Sequence, residues 1–290
     1  MEQTYRSRLN ALPEDLKVDI AAVVLQWGMS ANHRRELILE AFKDYKIPCS
    51  ELGTGTNRLV VKYSGFALKA ALDDEGVDDN RQEWVMSQRL APDAAYSHEI
   101  SGDIIVKDDG TNDIQGGHLL VADYIPAFSS YGEMLIYQRP ILAILKEWSK
   151  NNLLGDVGFT KKNYANWGHK GNTPKCIDFA YVYPAGMSLF TCTCGCTDLE
   201  PDNSTFSNYI CKNCKKTFSD SELRSRISNE KRHEFFSKVK GLRLTKEYER
   251  VDVDPKYLNI VKPTVADAVM INNQCNEFRE NIFKYGKRHW

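Results

Sequence analysis

Five of the eight cysteines crowd between Cys192 and Cys214, while Cys49, Cys176 and Cys275 stand alone. The crowded stretch reads Cys192-Thr193-Cys194-Gly195-Cys196 and then, about fifteen residues on, Cys211-Lys212-Asn213-Cys214. Two cysteine groups at this separation, flanked by Phe190, Tyr209 and Phe218, carry the pattern of a zinc ribbon, in which four thiolates hold one Zn²⁺. The pair Cys211 and Cys214 has standard ligand spacing, whereas Cys192, Cys194 and Cys196 offer three candidates for two places. Gly195 favours Cys194, because a ligand turn closes more easily when the next residue adopts positive φ. Cys192 is the preferred partner, with Cys196 the alternative. Little apolar sequence lies between the groups, so such a ribbon needs its metal, worth on the order of 10 kcal/mol of folding energy.

Disulfides fit this pattern poorly. The N-terminus, Met1-Glu2-Gln3-Thr4-Tyr5, lacks the apolar core of a signal peptide, which leads us to expect a reducing cytoplasm and free thiols. Charged residues make up 27% of the 290 and nearly cancel, at −1. No whole-molecule field therefore draws the chain to nucleic acid or a membrane. No apolar run reaches the roughly 18 residues of a membrane span. Hydrophobic residues, at 42%, suffice for one large domain or two smaller ones.

Periodicity predicts two helices over 14–46. Leu16, Ile20, Val23, Val24 and Trp27 share a face of the first, and Leu37, Ile38, Ala41 and Phe42 a face of the second. Gly28 separates them, Ser30 caps the second and Pro48 ends it. Then comes Leu52-Gly53-Thr54-Gly55-Thr56-Asn57-Arg58, a turn whose glycines let backbone N–H groups approach a phosphate. Leu59-Val60-Val61 reads as a strand leaving it, and Phe66-Ala67-Leu68-Lys69-Ala70 as a second strand. An acidic turn over 73–79 precedes a helix over 80–90 with Glu83 near its start. Strands are expected over 103–106 and 118–125, the latter leaving its sheet near Asp123 and stopped by Pro126. A helix over 139–151 leads to Asp156, then Asn166-Trp167-Gly168. Cys176-Ile177-Asp178-Phe179-Ala180 reads as a short apolar strand ending near the carboxylate. Further helices are expected over 220–239 and 264–285, with a short apolar run over 258–261.

Taken together, Gly53-Thr54-Gly55, Lys69, Glu83, Asp123-Tyr124-Ile125, Asp156, Asn166 and Asp178-Phe179-Ala180 resemble the protein-kinase-like fold. They look most like its divergent members in bacteria and their phages. The order and spacing carry this resemblance from about residue 51 to 181. It implies an α+β, two-lobed fold with a helical arm over 1–48, an upper lobe over 49–123 and a lower lobe over 124–290. The ribbon, over 190–220, would stand in the place of the activation segment. It implies ATP under the glycine turn, with Lys69 on the α/β-phosphates, Glu83 orienting Lys69, and the backbone of Asp123 and Ile125 at the adenine. Asp178 and Asn166 would hold Mg²⁺, and Asp156 would accept the proton of a substrate hydroxyl.

Four departures from the family pattern bear on activity. Arg58 stands where a third glycine is usual, and Ala180 where a glycine follows Asp178-Phe179. Asp156 and Asn166 are ten residues apart instead of five. Asn163 competes with Asn166 for the metal role. The expected activity is ATP- and Mg²⁺-dependent phosphorylation of a protein hydroxyl, the ribbon docking a protein substrate or regulator. The alternative is a non-catalytic kinase-like protein that grips a protein or nucleic-acid partner through the ribbon, whose tip carries Lys212, Lys215 and Lys216.

Overall fold

A computed structural model describes residues 11–25, 28–90, 117–184, 189–227, 231–232 and 234–235. Trp27, the strand expected over 103–106, Cys275 and the elements expected over 258–285 lie outside them. The fold is α+β, built on several small antiparallel sheets. Among the described residues, no helix is long and apolar enough to cross a membrane.

Helices α1 (Glu14–Leu25) and α2 (Ala31–Asp44) come first. Ser30 caps α2, its side chain accepting from the His33 N–H. Strands β1 (Cys49–Thr54), β2 (Arg58–Tyr63) and β3 (Phe66–Ala71) follow. With β4 (Leu119–Asp123) they form an antiparallel sheet in the order β1-β2-β3-β4. Ser64 and Gly65, both at positive φ, close a two-residue turn between β2 and β3. Strand alternation divides this sheet by face. Leu59, Val61, Leu68, Ala70, Leu119 and Val121 bury one face against Leu16, Ile20, Leu37, Ile38 and Phe42 of the two helices. Arg34 fastens the layers by donating to the Leu72 carbonyl at 2.8 Å. The alternate residues, among them Val60, Ala67, Lys69 and Ala122, look the other way.

Helix α3 (Asp74–Leu90) packs on β3 and β4. It begins six residues before the expected start, so most of the acidic stretch is helical. Asp73 accepts from the Gly76 N–H at 2.8 Å, and acidic side chains suit a helix's first turn. Its polar middle is buried: Asp78, Asp79, Asn80, Arg81, Gln82 and Glu83 are all below 5% exposed.

After β4 the chain makes a short helix, α4 (Tyr131–Ile136), which periodicity did not reveal, and α5 (Gln138–Trp148). Strand β5 (Asn152–Leu154) pairs later with β8 (Val182–Pro184), and β6 (Trp167–Lys170) forms a hairpin with β7 (Thr173–Cys176). β7 ends at Cys176, so Asp178 sits on the loop after the strand and not within it. Strands β9 (Leu199–Pro201), β10 (Asn208–Cys211) and β11 (Thr217–Ser219) make the ribbon's sheet. Helix α6 (Asp220–Arg226) breaks at Ile227, and residues 231–232 and 234–235, still within the expected 220–239, are helical again.

The ribbon is not a satellite. Phe190, Tyr209 and Phe218 join one core with Ile141, Leu145, Trp148, Trp167 and Phe179.

Candidate functional site

The sheet face that α1 and α2 leave open forms one wall of a cleft of about 530 Å³. Gly53 and Gly55 at the β1–β2 hairpin, Lys69 on β3, and Asp123 and Ile125 at the end of β4 line it from one side. Asn166 and Asp178 line it from the other. Gly168 lets the two sides meet: a Cβ there would lie 2.1 Å from the Pro126 carbonyl oxygen. The Phe128 N–H also donates to the Trp167 carbonyl at 2.8 Å.

A buried charge network backs the cleft. Lys69 Nζ donates to Glu83 Oε1 at 2.6 Å and to the Ile177 carbonyl at 2.7 Å. Arg58, 7% exposed, donates to Glu83 Oε2 at 2.6 Å and to Asp178 Oδ2 at 2.8 Å. Asp178 Oδ1 accepts the Ala180 N–H at 3.0 Å. Burial by itself would raise the Asp178 pKa, but Arg58 and then Lys69 outweigh it and hold the carboxylate at about 2. Burial also works against charge on Arg58, yet Asp178, Glu83 and Asp79 leave its guanidinium above the usual arginine value.

Around this network stand two residues that sequence reasoning passed over. Asn80 donates to the Gly117 carbonyl at 2.7 Å and accepts from Arg58 at 3.3 Å. Asp79 takes hydrogen bonds from Asn57 at 3.1 Å and from Arg232 at 2.9 Å. The available signal was spacing: Asp79, Asn80 and Glu83 stand at i, i+1 and i+4, polar on a helix face where burial would call for apolar residues.

Asp156, expected to be the base, is not among the residues lining the cleft. Its backbone is at φ +56 and its carbonyl accepts from Asn166 Nδ2 at 2.7 Å. The ten-residue separation therefore closes into a loop clasped by Asn166. Asn163 is buried instead, donating to the Gly158 carbonyl at 3.2 Å, and lies away from the cleft.

The second centre is the cysteine cluster. The sulfurs of Cys192, Cys194, Cys211 and Cys214 all lie within 4.8 Å of one another. Cys192 and Cys214 approach to 3.5 Å, and Cys194 and Cys211 to 3.6 Å. A tetrahedron with Zn–S bonds of about 2.3 Å has sulfurs about 3.8 Å apart, so these four can hold a metal ion such as zinc. Cys196 is outside the cluster, its sulfur accepting the Asp198 N–H at 3.3 Å.

The two ligand turns are built alike. Gly195, at φ +83, donates to the Cys192 carbonyl at 2.8 Å, and Lys215, at φ +61, donates to the Cys211 carbonyl at 2.9 Å. The Cys196 N–H is the largest influence on the Cys194 thiol, which is drawn down to about 6. The Lys216 N–H acts to lower Cys214, but the neighbouring sulfurs push it up to about 12. The lysines at the tip are partly neutralised, Lys212 by Asp198 at 3.1 Å and Lys215 by Glu200 at 3.9 Å.

No protein-family model matches the chain, and no curated protein matches it.

Proposed function

We propose that the chain is a protein-kinase-like, ATP-dependent phosphotransferase acting on a protein hydroxyl, with zinc at the cysteine centre. The observation that carries this reading is convergence: Lys69, Glu83 and Asp178, distant in sequence, meet behind a cleft rimmed by the Gly53–Gly55 hairpin. The glycines support it. Neither has positive φ, and no described atom lies within 4 Å of a Cβ added at Gly53. The fold itself does not demand a glycine at 53, and the missing Cβ leaves the backbone there open to the close approach of a phosphate. Lys69, oriented by Glu83, suits the α/β-phosphates, and the backbone of Asp123 and Ile125 suits the adenine edge. Asp178 and Asn166 are the residues that would hold magnesium, which would neutralise charge on the transferring phosphate.

A specific observation favours a second reading, a non-catalytic regulatory binding protein. The Asp156 side chain does not line the cleft, and a missing base lowers a rate by roughly 10²- to 10⁴-fold. Incubation with labelled ATP across several divalent metals separates the two. For the enzyme, wild type transfers label to protein, and Lys69→Ala and Asp178→Ala abolish transfer. Nucleotide-dependent thermal stabilisation without transfer selects the regulatory reading. Absence of both removes the nucleotide from the account and leaves only the metal centre.

A further inference from the structure

Arg58 is the member of the charge network that the proposed reaction does not use. It opens β2 directly after the glycine hairpin, and its carbonyl accepts the Gly55 N–H at 2.9 Å. Its side chain runs inward, away from solvent, and ends between two carboxylates, Glu83 at 2.6 Å and Asp178 at 2.8 Å. Asn80 takes a further hydrogen bond from it at 3.3 Å. The charges then alternate along one line: Asp178, Arg58, Glu83, Lys69. Two cations meet two anions, so the network is neutral before any ligand arrives.

A guanidinium cannot be deprotonated in a protein and cannot diffuse away, and its fork matches carboxylate geometry. Both Asp178 oxygens already accept a hydrogen bond, one from Arg58 and one from the Ala180 N–H at 3.0 Å. A divalent ion on that carboxylate would stand beside a fixed positive charge, which weakens its hold there in the absence of a nucleotide. Without Arg58, Glu83 and Asp178 would share Lys69 alone, and the surplus negative charge would draw a metal ion in.

We propose that Arg58 is a built-in counter-ion that takes over part of the divalent cation's role at Asp178, so that a nucleoside polyphosphate binds this cleft with little dependence on Mg²⁺. This inference rests on the nucleotide reading of the same cleft. Arg58 does not line the cleft itself, so it is a positioning residue that acts through Asp178 and Glu83.

The test is the affinity of the full, zinc-loaded chain for ADP and ATP, measured calorimetrically in EDTA and in millimolar Mg²⁺. Wild type should lose less than about tenfold in affinity without Mg²⁺, and Arg58→Gln should lose at least about a further tenfold, with Arg58→Lys close to wild type. A purely structural arginine would shift stability and leave that ratio alone. Direct Mn²⁺ titration of the nucleotide-free wild type supplies a second readout that does not depend on the folding of Arg58→Gln. Binding weaker than about millimolar is expected, and micromolar binding abolished by Asp178→Asn overturns the inference. Nucleotide binding with full Mg²⁺ dependence in wild type ends the role of Arg58 but leaves the nucleotide reading standing. No nucleotide binding under any condition ends both.

Discussion

Arg58, Lys69, Glu83 and Asp178 hold one another's charge, and none can be neutralised alone without leaving a partner buried and unbalanced. The spacing of Lys69 and Glu83 could be read from the sequence, but the partners of Arg58 could not. They lie 25 and 120 residues further along the chain. His118 shows the same limit and yields a pH prediction. Burial, and then the charge on Arg81, depress its imidazole from 6.5 to about 3. The unfolded chain therefore binds a proton first as pH falls. The stability that His118 contributes is complete above about 6.5 and declines towards 3, by up to about 1.4 kcal/mol per pH unit. Urea unfolding between pH 7.5 and 4.5 should give a shallower pH slope for His118→Gln than for wild type. Equal slopes would show that His118 does not carry the effect.

At the scale of elements, the decisive contact is between β6 and the segment leaving β4. Gly168 permits it, since a Cβ would strike the Pro126 carbonyl, which is backbone and has little room to give. Gly168→Ala should cost roughly 1–3 kcal/mol. It should also weaken any nucleotide-induced rise in Tm, because Asp123 to Ala127 form one wall of the cleft. A variant with a lowered Tm and an unchanged nucleotide response would separate the hinge from the site. β2, β3 and β4 were legible as strands in Leu59-Val60-Val61, Phe66-Ala67-Leu68 and the run over 118–125, but a continuous apolar run does not say which face is covered. Period two states which residues share a face, and the apolar stripe of α1 and α2 had only one such face to cover. The first turns of α3 escape apolar periodicity because most of its buried residues there are polar.

For the whole molecule, the cysteine centre and the cleft are mechanically joined. The Phe159 N–H donates to the Thr205 carbonyl at 2.7 Å, Asn163 to Asp220 at 3.5 Å, and the Leu154 N–H to the Tyr209 hydroxyl. These bonds run from the ribbon to the loop that ends in Asn166. Metal analysis should find one zinc per chain. Its removal by a chelator should raise amide exchange across 154–166 as well as 190–220. Exchange confined to 190–220 would mean that the ribbon is only a local staple.

What the sequence by itself determined is what neighbours along the chain decide: the strands after the glycine turn, the Ser30 cap, the Cys211–Cys214 turn and the positive φ at Gly195. These depend on backbone sterics and on side-chain spacing within a few residues. Tertiary structure alone decided that Cys196 leaves the cluster, that Asn166 and not Asn163 reaches the cleft, that Asp156 offers its carbonyl to Asn166, and that Arg58 enters the charge network. Each of those outcomes turns on a buried polar group finding its partner. Burial without a partner is costly, and the partner is chosen by how distant segments pack.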